Sequence, residues 1–363
     1  MNTFFEFIED IKKSPDQKEL DLNYLKKSEL PLVLYGTGTY SKYVKKFLED
    51  NNINITYVAL DEKYFKEDTI FESKPIHLID SILEKESLVN IIFAFSENYE
   101  KRKQYIDNKK VKKCIFFENL LFKSFNIEFL QNNYSVWENL YNLLYDEISR
   151  KTLISYLKGK VTGNAEELRL LNEETVQYFP SFLPITSNEV FVDCGAFDGD
   201  TILSFNNVVG EKYKKIYALE CDGANAAKLK IKLSNLSNIE IIEKACYSEK
   251  RTISFSNNGT MESKIDDSGD ITIESEKIDN IVADVKTTFI KMDIEGSELE
   301  ALKGAKYTII KDKPKLAISV YHKEEDLLTI PQYILSLNDN YKLYLRHYGD
   351  TLYETVLYAI DYD

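Results

Sequence analysis

One segment concentrates the chemistry of this chain: Val190-Phe191-Val192-Asp193-Cys194-Gly195-Ala196-Phe197-Asp198-Gly199-Asp200-Thr201. An apolar run ends in an acid, turns through two glycines and opens a helix at Thr201-Ile202-Leu203. This is a strand–loop–helix in which backbone approaches a ligand too closely for any Cβ. The acid selects the ligand. Bare amide N–H groups at a helix N-terminus welcome a pyrophosphate, which a carboxylate at Asp193 would repel. With Asp198 and Asp200 close behind, the loop suits a ligand carrying an ammonium and a sulfonium, namely S-adenosyl-L-methionine (SAM). The expected cofactor loop is therefore Asp193, Gly195, Ala196, Phe197, Asp198 and Gly199.

A second apolar run, Lys215-Ile216-Tyr217-Ala218-Leu219, ends in Glu220 about one helix downstream. In a doubly wound sheet this puts an acid at the tip of the neighbouring strand, within reach of ribose hydroxyls. A carboxylate there can accept from both cis hydroxyls in charge-assisted bonds. Cys221 follows it, and Ala245, after the strand Ile239–Glu243, falls where an adenine would lie. The competing reading is a solvated acid after a core strand with an ordinary turn.

These residues need a parallel sheet to position them. Further apolar runs at Phe289–Met292 and Leu316–Tyr321 supply the fourth and fifth strands, ending at Asp293 and His322. Two late runs, Tyr341–Arg346 and Thr355–Ala359, are joined at Gly349-Asp350. With little helix between them, they are expected as an antiparallel pair at the sheet edge. Residues 257–269, polar and glycine-containing, read as a mobile loop.

The first third carries its own nucleotide-type motif. Leu32-Val33-Leu34-Tyr35 leads into Gly36-Thr37-Gly38-Thr39-Tyr40-Ser41 and a helix over 42–50, and the next strand ends in Asp61. Runs at 89–95 and 114–117 add parallel strands. Gly36, Gly38 and Ser41 could offer amides to a phosphate and Asp61 could meet a ribose, so a nucleotide-sugar is one candidate partner. The alternative is a turn kept for folding in a domain that mediates contacts. Between about 122 and 178 the pattern is helical, with Trp137, Leu140, Tyr141 and Leu144 on one face, a core stripe with no chemistry assigned. The organisation expected is a Rossmann-like α/β domain over 1–121, a helical connector over 122–178 and a class I methyltransferase-type doubly wound domain over 179–363.

Composition narrows the function. The 363 residues are 44% hydrophobic with a net charge of −14, enough for two cored domains and poor in the basic surface that nucleic-acid binding needs. Cys114, Cys194, Cys221 and Cys246 form no CxxC pair and read as buried thiols. The first ten residues carry acids where a leader needs cations, and no apolar run reaches bilayer length. The expectation is a cytoplasmic protein with no membrane or nucleic-acid partner.

The residues now resemble the FkbM family of SAM-dependent methyltransferases. The resemblance rests on 190–201, Tyr217–Glu220 and, above all, Ile290-Lys291-Met292-Asp293-Ile294-Glu295-Gly296-Ser297-Glu298-Leu299-Glu300-Ala301-Leu302-Lys303-Gly304-Ala305, similar to the family's K-x-D-x-E-G-x-E-x-x-x-L-x-G-A signature. The tail, Ser319-Val320-Tyr321-His322 and Tyr344–Tyr348, looks like a bacterial subgroup. The family's usual acid–proline after the second strand is Glu220-Cys221 here. The resemblance covers about half the chain and implies methyl transfer to a hydroxyl or amine of a small molecule, sugar or glycan.

Such a transfer is an in-line displacement, so alignment supplies much of the rate, and an alcohol must also lose a proton. Asp293, Glu295 and His322 are the candidate catalytic residues, with a helix N-cap at Asp293 and a turn at Glu295-Gly296 as the plain alternatives. No His-x-x-x-His or further paired acid is evident, so no metal is expected. There is also no Asn-Pro-Pro-Tyr of the kind that holds a nucleobase nitrogen. Two rival readings stay open: a nicotinamide or nucleotide-sugar enzyme working through Gly36–Ser41, and a non-catalytic assembly partner of methyltransferase fold.

Overall fold

In the computed structural model, residues 3–95, 104–117, 120, 125–172, 175–256, 264–265, 271–349 and 351–362 are described. The chain divides into two compact units, one of Met1–Asn132, Ile154–Leu170 and Asp350–Leu352, the other of Asn133–Leu153, Leu171–Gly349 and Tyr353–Asp363. The helical stretch after residue 122 is thus shared between the units, with Trp137 buried in the second.

The first unit is built on a six-stranded sheet. Its strands are β1 (Leu32–Tyr35), β2 (Tyr57–Leu60), β3 (Ile70–Phe71), β4 (Lys74–Leu78), β5 (Val89–Phe93) and β6 (Val111–Phe116), in the order β3-β4-β2-β1-β5-β6. All neighbours are parallel except β3 and β4. Alternate residues feed two cores: Leu32, Leu34 and Ile92 on one face, Val33, Tyr35, Ile91 and Phe93 on the other. Buried on both faces, these strands read as continuous apolar runs. The β3–β4 hairpin carries no such run. Its two-residue turn is Glu72-Ser73, with φ of 44° and 73°, and neither is the Asn or Gly that normally announces it.

The second unit holds β7 (Val190–Cys194), β8 (Lys215–Leu219), β9 (Ile239–Ile242), β10 (Ala245–Cys246), β11 (Thr252–Ser256), β12 (Lys264–Ile265), β13 (Ile271–Glu276), β14 (Phe289–Met292), β15 (Lys315–Ser319), β16 (Lys342–His347) and β17 (Thr355–Ile360). Seven of them form the sheet β16-β17-β15-β14-β7-β8-β9. Strands β9, β8, β7, β14 and β15 run parallel, while β17 is antiparallel to both β15 and β16. The expected antiparallel pair therefore closes one edge, with the later strand inserted next to β15. Phe191 of β7 stacks on Phe289 of β14 at 4.9 Å, and Phe179 and Phe205 complete the aromatic core above them.

Strand order reverses between β7 and β14, so their C-terminal ends open a crevice where ligands bind in doubly wound sheets. A second sheet, β10-β13-β11-β12, was not foreseen. The loop expected over 257–269 lies outside the described residues apart from β12, as does Asp350 of the late turn. Among the described residues, no helix is long and apolar enough to cross a membrane.

Candidate active site

The loop after β7 is tied down by its own backbone. The N–H groups of Gly195 and Ala196 both donate to the Leu219 carbonyl, at 3.0 and 2.9 Å. Gly195 has φ +79°, and a Cβ there would lie 2.0 Å from the Asp293 carbonyl oxygen. Gly199, at φ +92°, starts the helix Asp200–Val209 with no side-chain cap. Ala196 is buried, whereas Phe197, in the left-handed region at φ +47°, is 53% exposed on the rim.

Glu220 closes this loop from the tip of β8. One carboxylate oxygen accepts the Phe197 N–H and the other the Asp222 N–H, each at 2.8 Å. Burial pushes its pKa up, partly offset by those two donors. Each oxygen keeps a second lone pair, so the carboxylate can serve the loop and a hydroxyl together. Burial first, then Glu220, push the neighbouring Cys221 thiol up to about 12, leaving it unreactive at neutral pH. Asp198 faces outward and pairs with Lys232 at 2.8 Å. Ala245, expected near an adenine, sits in β10 opposite Ser275 of β13.

Asp193 is fully buried, 3.1 Å from the equally buried Lys291 of β14. The ammonium also donates to the Gly195 carbonyl at 2.8 Å. Burial pushes Asp193 up to about 6 against the pull of Lys291. Lys291 itself is driven down by burial but raised overall by Asp193 and Asp293. A lysine inside the apolar strand Phe289-Ile290-Lys291-Met292 was a visible anomaly, and its role is to bind the two strand tips together.

Asp293, Glu295 and His322 come together at the tips of β14 and β15. His322 Nε2 lies 3.4 Å from Asp293 Oδ1 and 3.7 Å from Glu295 Oε2, and its Nδ1 lies 2.9 Å from Glu298 Oε1. Asp293 does not cap the following helix. Its two oxygens accept the hydroxyls of Tyr178 (2.8 Å) and Tyr321 (3.0 Å). Glu298, fully buried, accepts the Ile294 N–H at 2.9 Å and so braces the turn. Glu295 (φ +53°) and Gly296 (φ +90°) make that turn left-handed.

Electrostatics at this end favour cations. Burial raises Asp293, but Lys291, His322 and the Tyr178 hydroxyl outweigh it and hold its pKa below the ordinary value. Burial pulls the His322 ring down, yet Glu298, Asp293 and Glu295 push it up to about 9. Nearby carboxyls are raised, Asp326 to about 7 by burial and then Glu298, Glu354 by burial and then Asp293. Tyr178, Tyr321 and Glu354 were given no role from sequence, and Glu298 was read only as an acid favouring the dipole of the following helix. Tyr178 bonds a residue 115 positions away, which no local pattern discloses.

In the first unit, Gly36 takes φ +118° and Gly38 starts the helix Thr39–Asp50 without a side-chain cap. The Ser41 hydroxyl donates to the Ala94 carbonyl at 3.3 Å, and Asp61 accepts the Tyr35 hydroxyl. Both side chains thus have partners within the unit.

Residues 193–350 match the family model described as the methyltransferase FkbM domain. Across 98% of both chains, the fold is that of a solved methyltransferase FkbM from Methylobacillus flagellatus KT, at TM-score 0.74 and 23% identity. An rRNA methylase from Streptococcus thermophilus (TM-score 0.32, 17% identity, 49% of this chain and 88% of that one) is far less similar. So is an Aeropyrum pernix fibrillarin with bound S-adenosyl-L-methionine (0.33, 10%, 49% and 70%). Among curated proteins no sequence matches. Residues 193–350 are therefore a methyltransferase FkbM domain, and 193–349 of it belong to the second unit.

Proposed function

We propose that this FkbM domain is SAM-dependent and transfers the methyl group to a hydroxyl or amine of a small molecule, sugar or glycan. The observation that carries the reading is the convergence at one crevice of the Gly195–Gly199 loop, Glu220 and the Asp293–His322 cluster. The residues fit SAM. Gly195 leaves room where a Cβ would meet Asp293, and the rim is acidic enough for an ammonium and a sulfonium. Glu220 would hold the ribose hydroxyls, while Asp193 and Lys291 hold the loop. When bound, SAM supplies a methyl group activated by its sulfonium.

The chain's own part is alignment and proton management. Asp293, locked by two phenols and kept ionised, accepts a hydrogen bond from the acceptor's O–H or N–H and points its lone pair toward the cofactor side. Its low pKa makes it an orienting group more than a strong base.

Titration calorimetry with SAM and release of S-adenosylhomocysteine on a panel of hydroxyl and amine acceptors test the reading. SAM binding by the wild-type chain is expected. Asp293→Asn should keep it while turnover falls by orders of magnitude. A chain that binds no SAM would remove the proposal.

A further inference from the structure

The geometry points to a divalent-cation site at His322, Asp293 and Glu295, with Glu298 as the carboxylate that orients the imidazole. The site rests on the proposed function only for its role, not for its existence. His322 stands between carboxylates on both sides. Its Nδ1 approaches the buried Glu298 at 2.9 Å, while its Nε2 faces Asp293 Oδ1 at 3.4 Å and Glu295 Oε2 at 3.7 Å. Ligand atoms that share a metal at about 2.1 Å stand about 3–3.5 Å apart, close to these separations. Metal-bound histidines typically give their other ring nitrogen to a carboxylate, which is the place Glu298 occupies.

A second observation is independent of these distances. Glu298 is fully buried, and while its Oε1 accepts the Ile294 N–H and faces His322, its Oε2 has no hydrogen-bond partner among the described residues. Ligand atoms of Asp293, Glu298 and His322 all lie within 4.8 Å of one another. The Tyr178 and Tyr321 bonds to Asp293 do not block the site, because each carboxylate oxygen has a second lone pair. The turn that returns both glutamates to His322 passes through two successive left-handed residues, Glu295 and Gly296, of which only Gly296 is a glycine.

Two carboxylates with one imidazole suit Mn²⁺, Fe²⁺ or Mg²⁺, hard cations that keep positions open for an oxygen ligand. Ligation displaces any proton from Nε2. A cation here would take the acceptor's oxygen and lower the pKa of its hydroxyl. The acceptor would then be an oxygen nucleophile.

Mn²⁺ is the probe. Titration of the chelator-stripped full chain, followed by the electron paramagnetic resonance of free Mn²⁺, should show one site per chain. His322→Ala and Glu295→Gln should each weaken it by roughly tenfold or more. Glu295 is half exposed, so its variant keeps the test sound if the buried histidine proves necessary for folding. No saturable Mn²⁺ binding, or binding unchanged in both variants, would overturn the site. SAM affinity measured on the same stripped protein separates the claims, since SAM binding without Mn²⁺ binding rejects only this one.

Discussion

The Asp293 carbonyl oxygen occupies the space beside Gly195 so closely that a Cβ at residue 195 would sit 2.0 Å from it. The loop after β7, proposed to hold the cofactor, and the loop after β14, proposed to face the acceptor, therefore touch through backbone. Lys291 reinforces the contact by reaching from β14 to the Gly195 carbonyl and to Asp193. In the proposed reading, alignment of two substrates is thus built into adjacent strand tips that meet through backbone and are fixed by the buried Lys291.

Gly195→Ala should separate those tips. The new methyl meets a backbone atom, which cannot swing away, at a φ of +79° that L-residues adopt at a cost of about 1–2 kcal/mol. SAM affinity is expected to fall roughly tenfold or more while circular dichroism stays native. Calorimetry showing unchanged affinity would place the cofactor elsewhere.

Glu220→Ala should cost about 1.5–3 kcal/mol of SAM binding, roughly ten- to a hundred-fold. The structure adds a second reason to the ribose contact, because the variant also frees the Phe197 and Asp222 N–H groups. Glu220→Gln retains one acceptor oxygen and is expected to bind between the two. Equal affinity of Glu220→Ala and wild type would count against the assignment.

The parallel sheets were legible because both faces are buried, which leaves runs such as Val190–Cys194 and Phe289–Met292 in plain view. Asp193, Glu220, Asp293 and His322 were legible for a related reason: each ends such a run. Tyr178 was not, since its hydroxyl reaches Asp293 only through the tertiary fold. The β3–β4 hairpin and β13 were missed for want of turn residues or apolar continuity. Asp198 drew notice by its spacing alone, and the fold turns it toward Lys232.

Lys291→Met should be strongly destabilising. It leaves the Asp193 carboxylate buried with no counter-charge, and removing one partner of a buried pair costs about 3–5 kcal/mol. Replacing both, as Asp193→Leu with Lys291→Met, removes the stranded charge and should recover much of that loss, although not cofactor binding. Thermal unfolding of the two variants checks this, and a double variant less stable than Lys291→Met would show that the pair is more than a compensated charge.

Asp146 and Arg346 allow a prediction about pH. The Arg346 guanidinium, buried in β16, donates to both oxygens of Asp146 at 3.2 and 2.6 Å and to the Ser149 hydroxyl at 2.9 Å, with its Cζ 4.6 Å from the centroid of the Phe182 ring. Burial raises the Asp146 pKa, but the bonds from Arg346 and Ser149 outweigh it, and the net direction is down. A carboxylate depressed in the folded state contributes stability that is present above its unfolded value, about 3.9, and is lost as pH falls through the folded one. Asp146→Asn should therefore be less stable than wild type at pH 7, by about 1–3 kcal/mol for a charge-assisted bond to a buried arginine. The gap should narrow progressively as pH drops below about 4, because wild type then protonates the same group. Urea unfolding of both proteins at neutral and acid pH measures it. A difference that stays constant down to the acid limit would mean that Asp146 acts by shape rather than charge.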